Sequence, residues 1–442
     1  MHLFAALLSL VMQQLQLAGV DATPFVMYMV PSAQLRPFAN VAQPNQLALL
    51  FCLALGSLWY LYQTMRLPAK ISILLALCLL WGLVLTQSRI GWLIIPLFAL
   101  LAGLAKVGEL SINRTVLGGL LLLYIALVLG LPQLGQWLGF SSASVAAHVG
   151  GRSERWVLIQ QAWQMAASHP WLGVGWFGFG AEQVRIAADF SSTTYAEHSH
   201  NLLLNFAAEL GWPATILIFS GLSWWLWQCC IKVKASMPVR FAIFCLIAVG
   251  VHSMVEFPLW YAYVLMPVGL LMGMLHQLRW PAAGRVLPRA AIVLPSVAAL
   301  LAMVLLTVDY QRVVNGFNIL RTGKTYTGAD KRALTRPQFT LFGEYFLYFD
   351  VMGVTAHEGM SAAEIAAVEH MSRRFGFVHI LNKLAEVYAL NGQPQKAERT
   401  MLTLQRLHPY SYPEYFDYWK SQAELDQRYA VVFIAMPKRD AD

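Results

Sequence analysis

Up to about residue 310 apolar residues come in long runs; beyond it they fall in short groups separated by charges. Crossing a hydrocarbon core takes about 20 apolar residues, and that length marks about nine candidate spans. They lie near 3–20, 45–63, 71–87, 90–105, 116–135, 201–230, 241–256, 258–278 and 290–309. After 310 the segments 330–336, 364–374 and 383–406 place apolar residues at i, i+3 and i+4 among charges, as water-facing amphipathic helices do. The pattern predicts an all-α polytopic membrane helix bundle, residues 1–310, followed by a soluble helical domain, 311–442. The stretch 384–409 resembles one tetratricopeptide-like helix pair, although an array needs about three such units. A small helical domain with an interaction surface is the plainer reading.

Composition agrees: 58% of residues are hydrophobic, 12% are charged and mean hydropathy is +0.53. A soluble chain carries about 25% charged residues. The net charge of +8 does not point to nucleic acid, because the basic residues sit in short connections. Arg66 and Lys70, then Lys106 and Arg114, then Lys232, Lys234 and Arg240, then Arg279, Arg285 and Arg289 occupy every second connection. The positive-inside rule makes these loops cytoplasmic. The other connections then face outward: 21–44, the turn at 87–89, the long loop at about 136–200, the turn at 256–258, and everything after 310. Residues 1–20 lack a basic n-region and a small-residue cleavage site, and read as a first span instead of a removed signal peptide. The five cysteines lie in or beside predicted spans and show neither a disulfide framework nor zinc spacing.

The outward side carries the candidate chemistry. Asn201, Asn205 and Glu209 recur at i, i+4, i+8 in an apolar run, so they share one helical face that must turn away from lipid. His198 and His200 precede that face. No His-Glu-x-x-His pattern or supporting third ligand accompanies them, so no metal is expected. His200 suits a general base near neutral pH, or an interfacial residue that caps the helix with Asn201. Arg36, Arg89, Arg152 and Arg155 stand on the side the positive-inside rule disfavours. Guanidinium groups clamp phosphate oxygens, so several around one cavity favour a phosphate-bearing substrate, whereas any single one can be a headgroup anchor. His252 and Glu256, at i, i+4, are predicted to face each other, either as part of a site or to fix the turn at Pro258. The loop 169–180, with repeated Gly and Trp, suits a lid or binding loop at the interface.

With these residues in place the chain resembles the O-antigen ligase and bacterial protein O-oligosaccharyltransferase superfamily, most closely the pilin-glycosylating branch. The family signature, a His-Asn pair followed after nine residues by Gly, matches His200-Asn201 and Gly211. Further matches, in the family's order, are Arg36-Pro-Phe-Ala-Asn-Val-Ala-Gln43-Pro-Asn45, Ser88-Arg89, Arg155 ahead of His169-Pro-Trp-Leu-Gly-Val-Gly175, and the stretch from His252 through Glu256 and Tyr261 to Tyr263. Together they cover about 36–263. The branch usually has several more spans ahead of this region, and Ile159 stands where Trp is common.

The resemblance implies transfer of a preassembled oligosaccharide from undecaprenyl-pyrophosphate to Ser or Thr hydroxyls of an exported protein such as a pilin. The reaction would occur at the periplasmic face of the bacterial inner membrane, with the C-terminal domain in the periplasm, and without a metal or other cofactor. It implies His200, Arg89 and Arg155 as catalytic residues. Arg36, Gln43, Asn45, Arg152, Asn201, Glu209, His252, Glu256 and Tyr261 would bind substrate or shape the site. Competing expectations are an O-antigen ligase acting on lipid A-core, an O-antigen polymerase, and a non-catalytic transporter. A transporter would spread its polar residues through the bilayer midplane, whereas these cluster on one side.

Overall fold

The structure is a computed structural model that describes residues 1–20, 25–29, 36–64, 66–104, 114–140, 154–283, 288–321 and 328–438. Each of the apolar windows coincides with a helix. These are α1 (His2–Leu17), α2 (Pro44–Gln63), α3 (Ala69–Leu85), α4 (Ile90–Leu104), α5 (Arg114–Leu138), α8 (Leu202–Lys232), α9 (Met237–Ser253), α10 (Ala262–Arg279) and α11 (Ala290–Arg321). Between α5 and α8 lie α6 (Glu154–Ser168) and α7 (Phe179–Ile186). Among the described residues, α2, α5, α8 and α11 are long and apolar enough to cross a membrane. In α11 no residue of the most apolar window is buried, and Leu300, Leu301, Val304 and Leu305 are exposed. An apolar surface of that length is matched by lipid and not by water. This is a multi-pass membrane protein.

The chain divides into two compact units interleaved in sequence. The first contains residues up to 152, 200–203 and 217–284. Its central element is α2, which packs against α1, α3, α4 and α9. Leu47, Phe51, Leu79, Leu83 and Phe244 form the fully buried interior. Apolar side chains on all faces of α2 suit it to this central place, because every face meets protein.

The second unit contains 153–199, 204–216 and 285 onward. Here the charged, amphipathic segments form α12 (Gly328–Leu334), α13 (Gly343–Gly353), α14 (Ala362–Arg374), α15 (Val378–Leu390), α16 (Pro394–Leu407), α17 (Tyr412–Ala423) and α18 (Gln427–Ala435). Helix α14 begins with a capping box between Ser361 and Glu364, which satisfies backbone donors at the helix start. Helices α15 and α16 are joined by a short turn and pack as a helical hairpin. Phe346, Phe375, Leu404 and Trp419 are buried, and the Trp419 indole donates to Asn382 Oδ1 at 2.7 Å.

The apolar pattern predicts one boundary near 310; the contacts instead group residues 153–199 with the C-terminal helices. An extended segment explains this: Thr193 N donates to the Arg406 carbonyl at 2.8 Å and Tyr195 N to the Leu407 carbonyl at 3.0 Å. Such long-range backbone pairing leaves no trace in hydrophobic periodicity.

Candidate active site

The polar groups of the first unit converge on one carboxylate. Glu256, in the turn after α9, is 1% exposed. Its Oε2 lies 3.0 Å from His200 Nδ1, and its Oε1 accepts from Asn45 Nδ2 at 2.6 Å. Asn45 stands in the first turn of α2. Its Oδ1 accepts from Ser88 Oγ at 2.8 Å and from Arg36 Nη2 at 3.5 Å. Arg36 also donates through Nε to the Thr86 carbonyl at 3.1 Å. Four parts of the sequence, the 36–45 segment, the turn between α3 and α4, the approach to α8 and the turn after α9, thereby meet in one network.

The backbone is strained where it delivers these groups. His200 has φ 56°, Gln87 φ 49° and Ala42 φ 62°, all left-handed positions that non-glycine residues rarely adopt. Each such residue costs about 1–3 kcal/mol, and the surrounding contacts must offset it. At His200 those contacts include the bond to Glu256 and the Phe257 ring, 4.9 Å away edge-on. Phe257 in turn stacks on Tyr261 with ring centroids 6.1 Å apart. The neighbouring Asn201 donates Nδ2 to the Met254 carbonyl at 3.0 Å, tying the histidine to the end of α9.

The chemistry of the arrangement follows from the tautomer it favours. A carboxylate accepts the Nδ1 proton, which leaves the Nε2 lone pair free to receive one. The imidazole is 22% exposed while the carboxylate is sealed, so one nitrogen is held and the other remains reachable. This is the orienting arrangement that hydroxyl activation requires.

The structure separates the remaining expectations. Arg89 is exposed in the same turn as Ser88. Gln43 forms the N-cap position of α2, and its Oε1 is buried without a hydrogen-bond partner among the described residues. The i, i+4 spacing predicts that His252 faces Glu256. The two are joined through the Glu256 N–H, which donates to the His252 carbonyl at 2.9 Å, but the carboxylate also reaches His200 and Asn45. His252 itself is wholly buried. Arg155, half-buried at the start of α6, belongs to the second unit, and Arg152 lies outside the described residues.

The polar stripe on α8 is divided in its duties. Asn201 holds α9, Asn205 Oδ1 accepts from Ser199 N at 2.9 Å, and Glu209 Oε1 accepts from Phe179 N at 3.3 Å. Asn205 therefore pins the loop one residue ahead of His200. The signature glycine also finds its reason. Gly211 has φ 79° and breaks α8, and a Cβ there would overlap the Trp171 carbonyl. Trp212 N donates to the Pro170 carbonyl and Val174 N to the Ala208 carbonyl, both at 2.8 Å. The loop 169–175 is thus a backbone partner of the helix break.

Sequence reasoning missed Gln16. Its amide, 2% exposed, accepts from Phe38 N at 3.1 Å and Ala39 N at 2.8 Å, and donates to the carbonyls of Met27 at 2.9 Å and Ala39 at 3.1 Å. Gln13 Nε2 adds a bond to the Pro37 carbonyl at 3.2 Å. Together they fix the segment that presents Arg36. Gln13 and Gln16, at i, i+3 in a mostly apolar span, were the available signal.

Comparison with known proteins gives two family matches and two relatives. A family profile described as O-Antigen ligase matches residues 72–219, and one described as Virulence factor membrane-bound polymerase, C-terminal, matches 241–424. A general O-oligosaccharyltransferase of Acinetobacter baylyi is 26% identical over 391 residues, 85% of this chain and 67% of the relative. The chain is similar to proteins of the O-antigen ligase and O-oligosaccharyltransferase superfamily. A ComP-specific O-oligosaccharyltransferase of the same organism is 28% identical over 241 residues, 54% of this chain and 43% of the relative. The chain thus spans about two thirds of the first of these superfamily relatives and under half of the second. No solved structure matches. Among the described residues, no three His, Cys, Asp or Glu side chains gather as metal ligands.

Proposed function

We propose that the protein transfers a preassembled oligosaccharide from undecaprenyl-pyrophosphate to a Ser or Thr hydroxyl of an exported protein, at the periplasmic face of the inner membrane. The observation that carries the reading is the buried Glu256 carboxylate, 3.0 Å from His200 Nδ1 and braced by Asn45. The acceptor oxygen attacks the anomeric carbon of the first sugar as the bond from that carbon to the pyrophosphate oxygen breaks. The hydroxyl proton passes to His200 Nε2 and from there to solvent, and the lipid pyrophosphate leaves with the bonding electrons. Arg36 and Arg89 supply positive charge for the departing pyrophosphate. No metal is assigned a step. Asn45 and Ser88 hold the carboxylate and Arg36 in register.

The relatives named as O-oligosaccharyltransferases, one of them ComP-specific, support a polypeptide acceptor. The second reading, extension of a lipid-linked glycan, draws on the C-terminal match to a polymerase family. The two separate in a host that makes a lipid-linked glycan and co-expresses a candidate pilin. A glycan mass shift on the pilin, or on another exported protein, supports protein transfer. Longer glycans on the carrier, or sugar added to lipid A-core, with unmodified exported proteins would replace it with polymerase or ligase chemistry.

A further inference from the structure

The second unit contains a cleft of ≈ 230 Å³ that the proposed chemistry does not use. Four helices build it by residue spacing. Helix α16 presents Lys396, Arg399, Thr400 and Thr403 at i, i+3, i+4, i+7, and α14 presents Glu369, Ser372 and Arg373 at i, i+3, i+4. Between them α15 supplies a floor of Leu381, Leu384 and Tyr388, again on one face, and α7 closes one end with Val184 and Arg185. The result is an apolar floor, hydroxyl-bearing walls and a cationic rim.

The rim carries more positive charge than the cleft compensates. Glu369 is the single carboxylate in the lining, and it is shared: Tyr388 donates its hydroxyl at 2.6 Å, Arg373 Nη2 lies at 3.3 Å and Lys396 Nζ at 3.9 Å. Arg185 is held by Glu182, and Arg399 lies 3.7 Å from Asp189. All four cations keep 60–64% of their side chains exposed. Exposed pairs of this kind are weak, so an incoming carboxylate can exchange with them at little cost.

The same unit already receives an extended polypeptide. Residues 193–195 of its own chain pair through the backbone with the end of α16, and the Tyr195 ring occupies the space over Gly376. At Gly376 a Cβ would lie 2.5 Å from the Tyr195 ring. The apolar floor likewise suits a peptide side chain better than a sugar ring. We propose that this cleft docks an acidic, extended polypeptide segment, carboxylates on the rim and an apolar side chain on the floor. As the acceptor's docking site, the inference rests on the protein-transferase reading.

The test uses the full chain in detergent, titrated at low ionic strength with fluorescent oligoglutamate and, separately, with oligoglutamine, oligolysine and oligogalacturonate. Expected are saturable binding of oligoglutamate alone, weakening with salt, and about tenfold weaker binding by Lys396→Glu/Arg399→Glu. The Lys396→Arg/Arg399→Lys variant should retain binding. If the reversed variant fails to unfold cooperatively, Arg399→Gln is read in its place, with a smaller loss. Absence of saturable oligoglutamate binding, equal binding by the reversed variant, or tighter binding of oligogalacturonate would overturn the proposal. Glycan transfer measured in parallel separates the claims. Oligoglutamate binding without any glycosylated exported protein keeps the cleft and removes its acceptor role. Transfer to protein without oligoglutamate binding removes the cleft alone.

Discussion

His200 Nδ1 and Glu256 Oε2 lie 3.0 Å apart although 56 residues separate them in sequence. The carboxylate is almost wholly buried, the imidazole is not, and Asn45 and Ser88 extend the chain of hydrogen bonds behind them. In the proposed mechanism the far nitrogen of this histidine takes the acceptor proton.

Glu256→Gln should retain the shape of the site and lose the charge that orients the imidazole. An amide can also offer Nδ1 the wrong partner, a donor facing a donor. Transfer is expected to fall by about 10²–10⁴-fold with protein level unchanged, measured as the initial rate of glycan addition to an acceptor protein. Glu256→Asp should recover part of that loss.

Much of this site was legible in sequence, because its members are polar residues in apolar surroundings. Arg36, His200 and Glu256 stand out on that ground, Asn45 enters through the family motif, and the structure joins them. Which of them touch was not legible. The i, i+4 rule reports neighbours along one helix, so it offered His252 to Glu256 and could not offer His200 or Asn45. Gln16 escaped because its role is to satisfy the backbone of another segment. The interleaving of the two units escaped because backbone pairing of 193–195 with α16 depends on the path of the chain and not on side-chain periodicity.

Gln16→Leu should destabilise the first unit by about 1–3 kcal/mol, since the backbone N–H groups of Phe38 and Ala39 lose a buried acceptor. The freed segment carries Arg36, so the KM for the lipid-linked donor should rise more than kcat falls. A change confined to kcat would detach Gln16 from donor binding.

Gly211→Ala places a Cβ against the Trp171 carbonyl at a positive φ. The backbone conformation alone costs about 1–3 kcal/mol, and the overlap adds to it. Thermal unfolding in detergent should show the loss. An unchanged unfolding temperature would mean that the helix break does not require glycine.

Below neutral pH the second unit should weaken through His408. Burial holds its imidazole below the ordinary 6.5, against a smaller raising effect from its hydrogen bond to the Gly376 carbonyl. A base whose pKa is lowered by folding binds a proton more readily when unfolded. Its contribution is therefore complete above about pH 6.5 and declines as pH falls through that value. Hydrogen exchange at the end of α16 should accelerate over that window in wild type. His408→Asn should flatten the dependence.

The most direct measurement is transfer by purified wild-type protein and His200→Ala, each given lipid-linked oligosaccharide and an acceptor protein, with intact mass of the acceptor as the readout. Wild type should add the glycan mass, and His200→Ala, folded to the same unfolding temperature, should not. Equal glycan addition by both would contradict the role of His200 as the base that takes the acceptor proton.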